Sequence, residues 1–451
     1  MTDNPERNPS FPTGLHNAFL FATFNALSYQ LVLSSPMVLY AKTLGASATI
    51  LGVIVGMMPL LVIFQIPAAN YIPRLGYKRF VYAGWGTRVM FIFGMAAVPL
   101  SVSFLDKGNR LGLLLVLLFG FNLSRGISSC AWLPWLAALV PAPIRGKYLV
   151  REAAVTNTAS FVTFLIAALC LAGQTQSWQF AVLFAFSATM GAISLSFLKR
   201  IPDVPIPEEA RVSTAPVPWK EMIFYPPFLK LLHSVIGWSV AYGGITAFTV
   251  AFLRAEVGMS ETRILVLTSI SFLGGLSSLW FLGSRLDRLG SKPVLTFSFV
   301  AWVVVLFGWI GIAGHLLHLR SYLLLALQVA MGLFAALVQM ANTRLAMAII
   351  PPAGRNHFFA IYSVVNNVTL GLAPILWGLV IDSVGSRSWS WLGVEWNRFT
   401  VFFAGAALAF LVSVFLARRL VEPEAASMEA LMREILIESP QRFWVRLWPR
   451  G

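Results

Sequence analysis

Apolar stretches recur along the whole chain, separated by short polar or glycine- and proline-containing turns. They lie at roughly 16–41, 48–70, 80–104, 111–139, 153–173, 178–198, 228–253, 262–283, 293–315, 321–350, 358–381 and 399–418. A helix rises about 1.5 Å per residue, so each stretch is long enough to cross a hydrocarbon core of about 30 Å. The pattern predicts an all-α membrane protein with about twelve transmembrane helices. The first, fourth and tenth stretches are long enough to tilt or to extend past the bilayer.

Composition points the same way. The 451 residues are 58% hydrophobic and 11% charged, where a soluble chain carries about 25% charged residues. No cleavage site follows the first fifteen residues, which hold Asp3, Glu6, Pro5, Pro9 and the single base Arg7, so the first span is expected to stay in place. Cys130 and Cys170 fall inside predicted spans, as apolar fillers rather than disulfide or metal ligands. Neither a cofactor nor a metal is called for.

The net charge of +15 raises the question of nucleic acid, and its placement answers it. With an even number of spans both termini share a side. That side gathers Arg74, Lys78, Arg79, Arg145, Lys147, Arg151, Lys199, Arg200, Arg211, Lys220, Lys230, Arg285, Arg288, Lys292, Arg355 and the C-terminal arginines. The richer side is cytoplasmic by the positive-inside rule. The expectation is a multi-pass protein of the cell (inner) membrane with both termini cytoplasmic and no nucleic-acid partner.

The chain also repeats itself. The segment LAALVPAPIRGKYLVREAAVTN around Leu136 resembles LAMAIIPPAGRNHFFAIYSVVNN around Leu345. Pro141 aligns with Pro351, Arg145 with Arg355, Tyr148 with Phe358 and Asn157 with Asn367, all at one constant offset. Arg74-Leu75-Gly76-Tyr77-Lys78 returns as Arg288-Leu289-Gly290-Ser291-Lys292 at nearly the same offset. Between the halves, residues 199–226 are rich in proline and charge without an apolar period, which suits a cytoplasmic linker. The expected organisation is a six-helix bundle over 1–198, the linker, a second bundle over 227–420 and a cytoplasmic tail over 421–451. Paired pseudo-symmetric bundles suit a transporter that rocks around a central site.

The turn after the eighth predicted span reads Gly283-Ser-Arg-Leu-Asp287-Arg288-Leu-Gly290-Ser-Lys292. With the twelve spans and the repeat, it resembles the major facilitator superfamily of secondary transporters, whose motif runs Gly-x-x-x-Asp-Arg-x-Gly-x-(Lys/Arg). The copy after span two keeps Arg74, Gly76 and Lys78, with Ala69 and Pro73 in place of the glycine and aspartate. The resemblance covers about residues 16 to 420. It implies a cytoplasmic gate built on Gly283, Asp287, Arg288, Gly290 and Lys292, with Arg74, Gly76, Lys78, Arg145, Arg151 and Arg355 on the same face. It also implies alternating access around a solute site near mid-membrane. The proline-glycine motif that the family's antiporters carry in span five is absent from residues 159–173, which argues against a proton-coupled drug exporter.

Ionisable residues inside spans are costly and mark function. Arg125 lies near the middle of span four, with Asn122 one turn before it and Ser128, Ser129 and Trp132 following. Arg88 lies in span three, where a structural role bonded to carbonyls is an equal reading. Arg344 is near enough to the end of span ten to snorkel. Asn25 and Tyr29 in span one, Trp238 and Tyr242 in span seven, and Gln339 and Asn342 in span ten complete the candidate substrate contacts. The same residues also serve as helix glue or interface anchors. None of the 18 acidic residues falls near a predicted span centre, Glu152, Asp287 and Asp382 sitting at ends. That favours facilitated transport or exchange over proton symport.

The expected partner is therefore a small-molecule substrate, a small organic anion or a hydroxyl-rich metabolite, handled by a monomer. Alternatives are an exporter of amphipathic or drug-like compounds, and a transport-inactive sensor or scaffold on the same fold. An intramembrane enzyme would need a catalytic cluster that the spans do not supply. In the tail, Met428, Leu431, Met432 and Ile435 repeat at helical spacing before Arg442-Phe-Trp-Val-Arg446. That pattern suits an amphipathic element on the anionic cytoplasmic leaflet, or one docked against the bundles.

Overall fold

The computed structural model describes residues 14–140, 142–205, 219–282, 290–350 and 355–420, together with 422, 429 and 431. Gly283, Asp287 and Arg288 of the gate motif, and nearly all of the tail, lie outside these residues. The helices are α1 (His16–Leu33), α2 (Ser35–Thr43), α3 (Ala48–Leu61), α4 (Gln65–Ala69), α5 (Ile72–Leu75), α6 (Tyr77–Ala97), α7 (Lys107–Ser129) and α8 (Trp132–Leu139). There follow α9 (Ala142–Cys170), α10 (Ser177–Arg200), α11 (Trp219–Ile223), α12 (Pro226–Tyr242), α13 (Ile245–Ala255) and α14 (Glu261–Leu282). The last four are α15 (Ser291–Ala313), α16 (Ser321–Ile349), α17 (Arg355–Val384) and α18 (Arg398–Arg418). Among the described residues, 11 helical segments are long and apolar enough to cross a membrane, and α14 is a further long helix. This is an integral, multi-pass membrane protein.

Several spans that read as continuous are broken, and local chemistry says where. Pro134 lacks the N–H that would bond to Cys130 and its ring crowds that carbonyl, so span four divides into α7 and α8 there. Pro67 stands in the same relation to Ile63, within the 3₁₀ turn Val62–Phe64 that separates α3 from α4. Span seven parts at Gly243-Gly244, where Gly244 takes φ +84°, a conformation costly for any residue with a β-carbon.

Two short strands depart from the all-α expectation: β1 (Trp389–Trp391) and β2 (Val394–Trp396) pair antiparallel. Their two-residue loop, Leu392-Gly393, has positive φ at both positions, as the tightest hairpin turn requires. The stretch is too short and too tryptophan-rich for its alternation to stand out in sequence.

By internal contacts the chain forms two compact units. Unit 1 takes its described residues from Met1–Ala46, Met57–Ala215 and Val257–Val266; unit 2 takes its from Ser47–Gly56, Pro216–Glu256 and Leu267–Gly451. A division at 198 and 227 would assign Ser47–Gly56 and Val257–Val266 the other way round. In unit 1, α1 packs on α9 and α10, and α6 packs on α7 and α10. In unit 2, α12 packs on α17 and α18, and α15 packs on α16 and α18. The offset of the sequence repeat carries the first set of neighbours onto the second. Gly76 before α6 and Gly290 before α15 share one backbone shape, φ +79° ψ 155° and φ +82° ψ 163°. The two glycines of the sequence repeat thus share one positive-φ entry into a helix.

With lipid as the outer solvent, small residues draw the helices together. Ser187 donates to the Ser28 carbonyl at 2.7 Å, with Gly191 packed against Ser28. Gly237 meets Ser413 in the same way in unit 2. Outward faces stay apolar, as at Met90, Leu169 and Val304.

Candidate functional site

Four helices of unit 1 bring polar side chains to one depth. Asn25 is nine residues into α1 and Arg88 eleven into α6. Arg125 lies fourteen residues before the end of α8, and Glu152 ten into α9. At about 1.5 Å per residue, these positions lie roughly 13–21 Å from the helix ends nearest the α8–α9 turn. They line a cavity of about 440 Å³ together with Phe21, Tyr29, Gln65, Trp85, Ser129, Trp132 and Thr156. Small-molecule pockets commonly measure about 300–1,000 Å³.

The two arginines play different parts. Arg88 is 2% exposed, and its guanidinium lies 4.9 Å from the Trp85 ring centre and 5.9 Å from that of Phe121. It also donates to Asn25 Oδ1. Ring faces and one amide oxygen therefore replace the water that its charge has lost. Arg125 is only half-buried, and its guanidinium has no hydrogen-bond acceptor or carboxylate partner among the described residues. It lies close enough to Arg88 for mutual repulsion, so the cavity holds a standing attraction for an anion.

Opposite chemistry shares the space. Glu152 is half-buried, lines the cavity and forms no ion pair among the described residues. Tyr29 is near enough to Arg125, Arg88 and Glu152 to feel all three charges. One wall is aromatic: Phe21 stacks on Trp85 at 4.7 Å, and Trp132 lies 5.2 Å from each.

Glu152 keeps its place at a span end and still reaches the cavity. Helix α9 begins at Ala142, eleven residues ahead of the apolar run, while the part apolar enough to span runs Arg151–Cys170, so Glu152 lies inside the helix but at the end of its span. Charged residues in the first turns hide a helix start from any hydropathy reading without weakening the helix. Gln65 and Trp85 were likewise not singled out, because nothing in a lone glutamine or tryptophan marks the wall of a cavity.

The remaining candidates are placed elsewhere. Asn122 is buried and donates to the Leu118 carbonyl at 3.0 Å. Trp238 and Tyr242 stack at 4.5 Å within an aromatic cluster of unit 2 that includes Phe299, Trp302 and Phe410. The offset between the two Arg-Leu-Gly turns carries Arg88 onto Trp302 and Trp85 onto Phe299, so aromatic packing occupies in unit 2 the place of charge in unit 1. Gln339 is exposed and Asn342 buried on α16. Arg344 pairs with Glu422 at 2.5 Å, and the Glu422 carboxylate caps α15 through the backbone N–H groups of Ser291 and Lys292. Of the other gate residues, Arg74 is exposed and Lys78 half-buried. The Arg151 guanidinium lies 5.0 Å from the Phe19 ring, while Arg145 and Arg355 lie on helical backbone.

Comparison with known proteins identifies this architecture. The sequence model of the Major Facilitator Superfamily matches residues 244–448. A mutant form of the nucleoside transporter NupG superposes on 91% of this chain and 100% of its own, with a TM-score of 0.69 at 12% identity. The chain shares the fold of the superfamily's transporters, and the sequence match to the family lies in its second half. Two further superfamily structures align as well. The inward open xylose transporter XylE from E. coli covers 92% of this chain and 99% of its own, at TM-score 0.68 and 15% identity. A D-xylose-proton symporter covers 92% and 100%, at 0.69 and 14%. No curated protein matches the chain by sequence. At these identities it is the fold alone that is shared.

Proposed function

We propose that the protein carries a small organic solute bearing an anionic group across the membrane by alternating access, with Arg125 as its principal contact. One observation carries this reading: a guanidinium without a protein acceptor among the described residues faces a cavity at bilayer depth. Charges so placed are retained where a function needs them. Asn25, Gln65, Tyr29 and Thr156 would bind hydroxyl or carbonyl groups on the same solute, and the aromatic wall would hold its apolar part. A broad amphipathic cargo fits less well, because two arginines and a carboxylate line the space. Among similar structures are transporters of nucleosides and xylose, which supports a small polar solute. The basic loops support a cytoplasmic placement of both termini in a cell membrane.

A thermal-shift screen of the purified protein against a metabolite library tests the proposal. Organic anions should raise the melting temperature of the wild type and leave Arg125→Gln unmoved. Stabilisation by neutral solutes alone, equal in both proteins, would refute it. Reconstituted protein that binds an anion yet exchanges none would favour the sensor reading.

A further inference from the structure

Arg125 is not the cavity's only unmatched charge. Arg88 is held by Trp85, Phe121 and Asn25, which leaves one cation, Arg125, and one carboxylate, Glu152, without ion pairs among the described residues. The two share a cavity and do not pair with each other. A simple anion drawn to Arg125 would meet the repulsion of Glu152. A solute with one charge of each sign would meet neither penalty.

We infer that the cargo is a zwitterion: its acidic group on Arg125, its cationic nitrogen toward Glu152 and the face of Trp132. This rests on the anion-carrying reading above and narrows it. Trp132 is the indole offered to the cation: Trp85 already carries Arg88 at 4.9 Å and stacks on Phe21 at 4.7 Å, whereas Trp132 meets those two rings only at a tilt. Trp132 is half-buried and lines the cavity, and an indole face attracts ammonium groups most strongly when water is excluded. The free charges of the site and those of the ligand then cancel one for one. Beyond Arg88, which its ring faces and Asn25 hold, no charge of the cavity is left without an opposite in the loaded carrier, which lowers the cost of crossing a low-dielectric layer. Amino-acid and betaine-like solutes meet this description; dicarboxylates and sugar phosphates do not.

Matched probes test it. L-Phenylalanine against 3-phenylpropionate, L-tryptophan against 3-indolepropionate, and 4-aminobutyrate against butyrate differ within each pair by the cationic nitrogen alone. Binding is measured by calorimetry on the full-length wild type, Glu152→Gln and Arg125→Gln, in two buffers of different ionisation enthalpy. At least one zwitterion should bind the wild type 10-fold or more tighter than its partner. Glu152→Gln should bring that pair within about two-fold by weakening the zwitterion, and Arg125→Gln should weaken both. The wild-type ratio stands by itself if Glu152→Gln fails to fold. A panel with no preferred zwitterion, including one in which nothing binds, overturns the inference. So does an anion that binds with uptake of a proton in the wild type but not in Glu152→Gln, since Glu152 would then be a proton site. Anion binding lost in Arg125→Gln without any zwitterion preference would keep the anion reading and remove this one.

Discussion

Asp382, in the last turn of α17, holds Thr49 at the start of α3 through two hydrogen bonds. Its carboxylate accepts from the Thr49 backbone N–H at 2.8 Å and the Thr49 hydroxyl at 2.6 Å, and from the Ala48 N–H at 2.9 Å. All three residues belong to unit 2. The first N–H groups of a helix have no partner within it, and a carboxylate satisfies them and opposes the positive end of the helix dipole. The repeat places a related contact in unit 1: Thr262, the counterpart of Ala48, donates to the Leu171 carbonyl at 2.9 Å. Asp382→Ala should cost about 0.5–2 kcal/mol, the usual worth of such a cap. Asp382→Asn, which keeps one acceptor oxygen, should cost less. Scanning fluorimetry of the three proteins checks the order; equal melting temperatures would contradict it.

Arg344 and Glu422 should behave as a unit. The Glu422 side chain is 2% exposed and that of Arg344 27%. Breaking a buried pair from one side costs about 3–5 kcal/mol, and the water that reaches Arg344 puts this pair at or below the lower end. Glu422→Ala should therefore lower the melting temperature clearly. The double variant Arg344→Met with Glu422→Gln should recover part of the loss. A double-mutant cycle with no coupling would remove the pair from the account.

Glycine contacts supply a third comparison. A β-carbon at Gly332 would collide with the Ser271 backbone, while one at Gly86 would meet nothing within 4 Å. Gly332→Ala should lower folded yield by forcing α14 and α16 apart. Gly86→Ala should be neutral or gain up to about 1 kcal/mol from helix propensity. Size-exclusion profiles of the two variants test this directly.

Arg88 should matter first for folding and only second for cargo. Arg88→Lys keeps the charge but loses the flat guanidinium that lies on Trp85 while donating to Asn25, so it should destabilise the protein. Anion affinity should fall less in Arg88→Lys than in Arg125→Gln. Equal loss in both would place Arg88 in contact with the solute.

What could be read from sequence follows the physics of the signal. Span count, the repeat and the place of Arg125 inside a span were legible because long apolar runs and isolated arginines within them stand out. The place of Glu152 on a cavity wall was not, since the charged turns of 142–151 look like loop although they are helix. Trp238 and Tyr242 looked equal to Asn25 and Tyr29, being aromatic and polar residues at helical spacing. Only packing separates them, with the former closed into an aromatic cluster and the latter facing a cavity. Glu422 drew no notice at the edge of the tail, and its capping of Ser291 and Lys292 joins segments so distant in sequence that no local pattern announces it.

The central claim is that Arg125 holds the anionic group of a transported solute. Counterflow in proteoliposomes measures it most directly, using the anion-bearing solute that best stabilises the wild type. Truncating one side of a desolvated charge pair costs about 2–5 kcal/mol, so Arg125→Gln should cut exchange by roughly 30-fold or more, with Arg125→Lys in between. Exchange at the wild-type rate in Arg125→Gln would contradict the account.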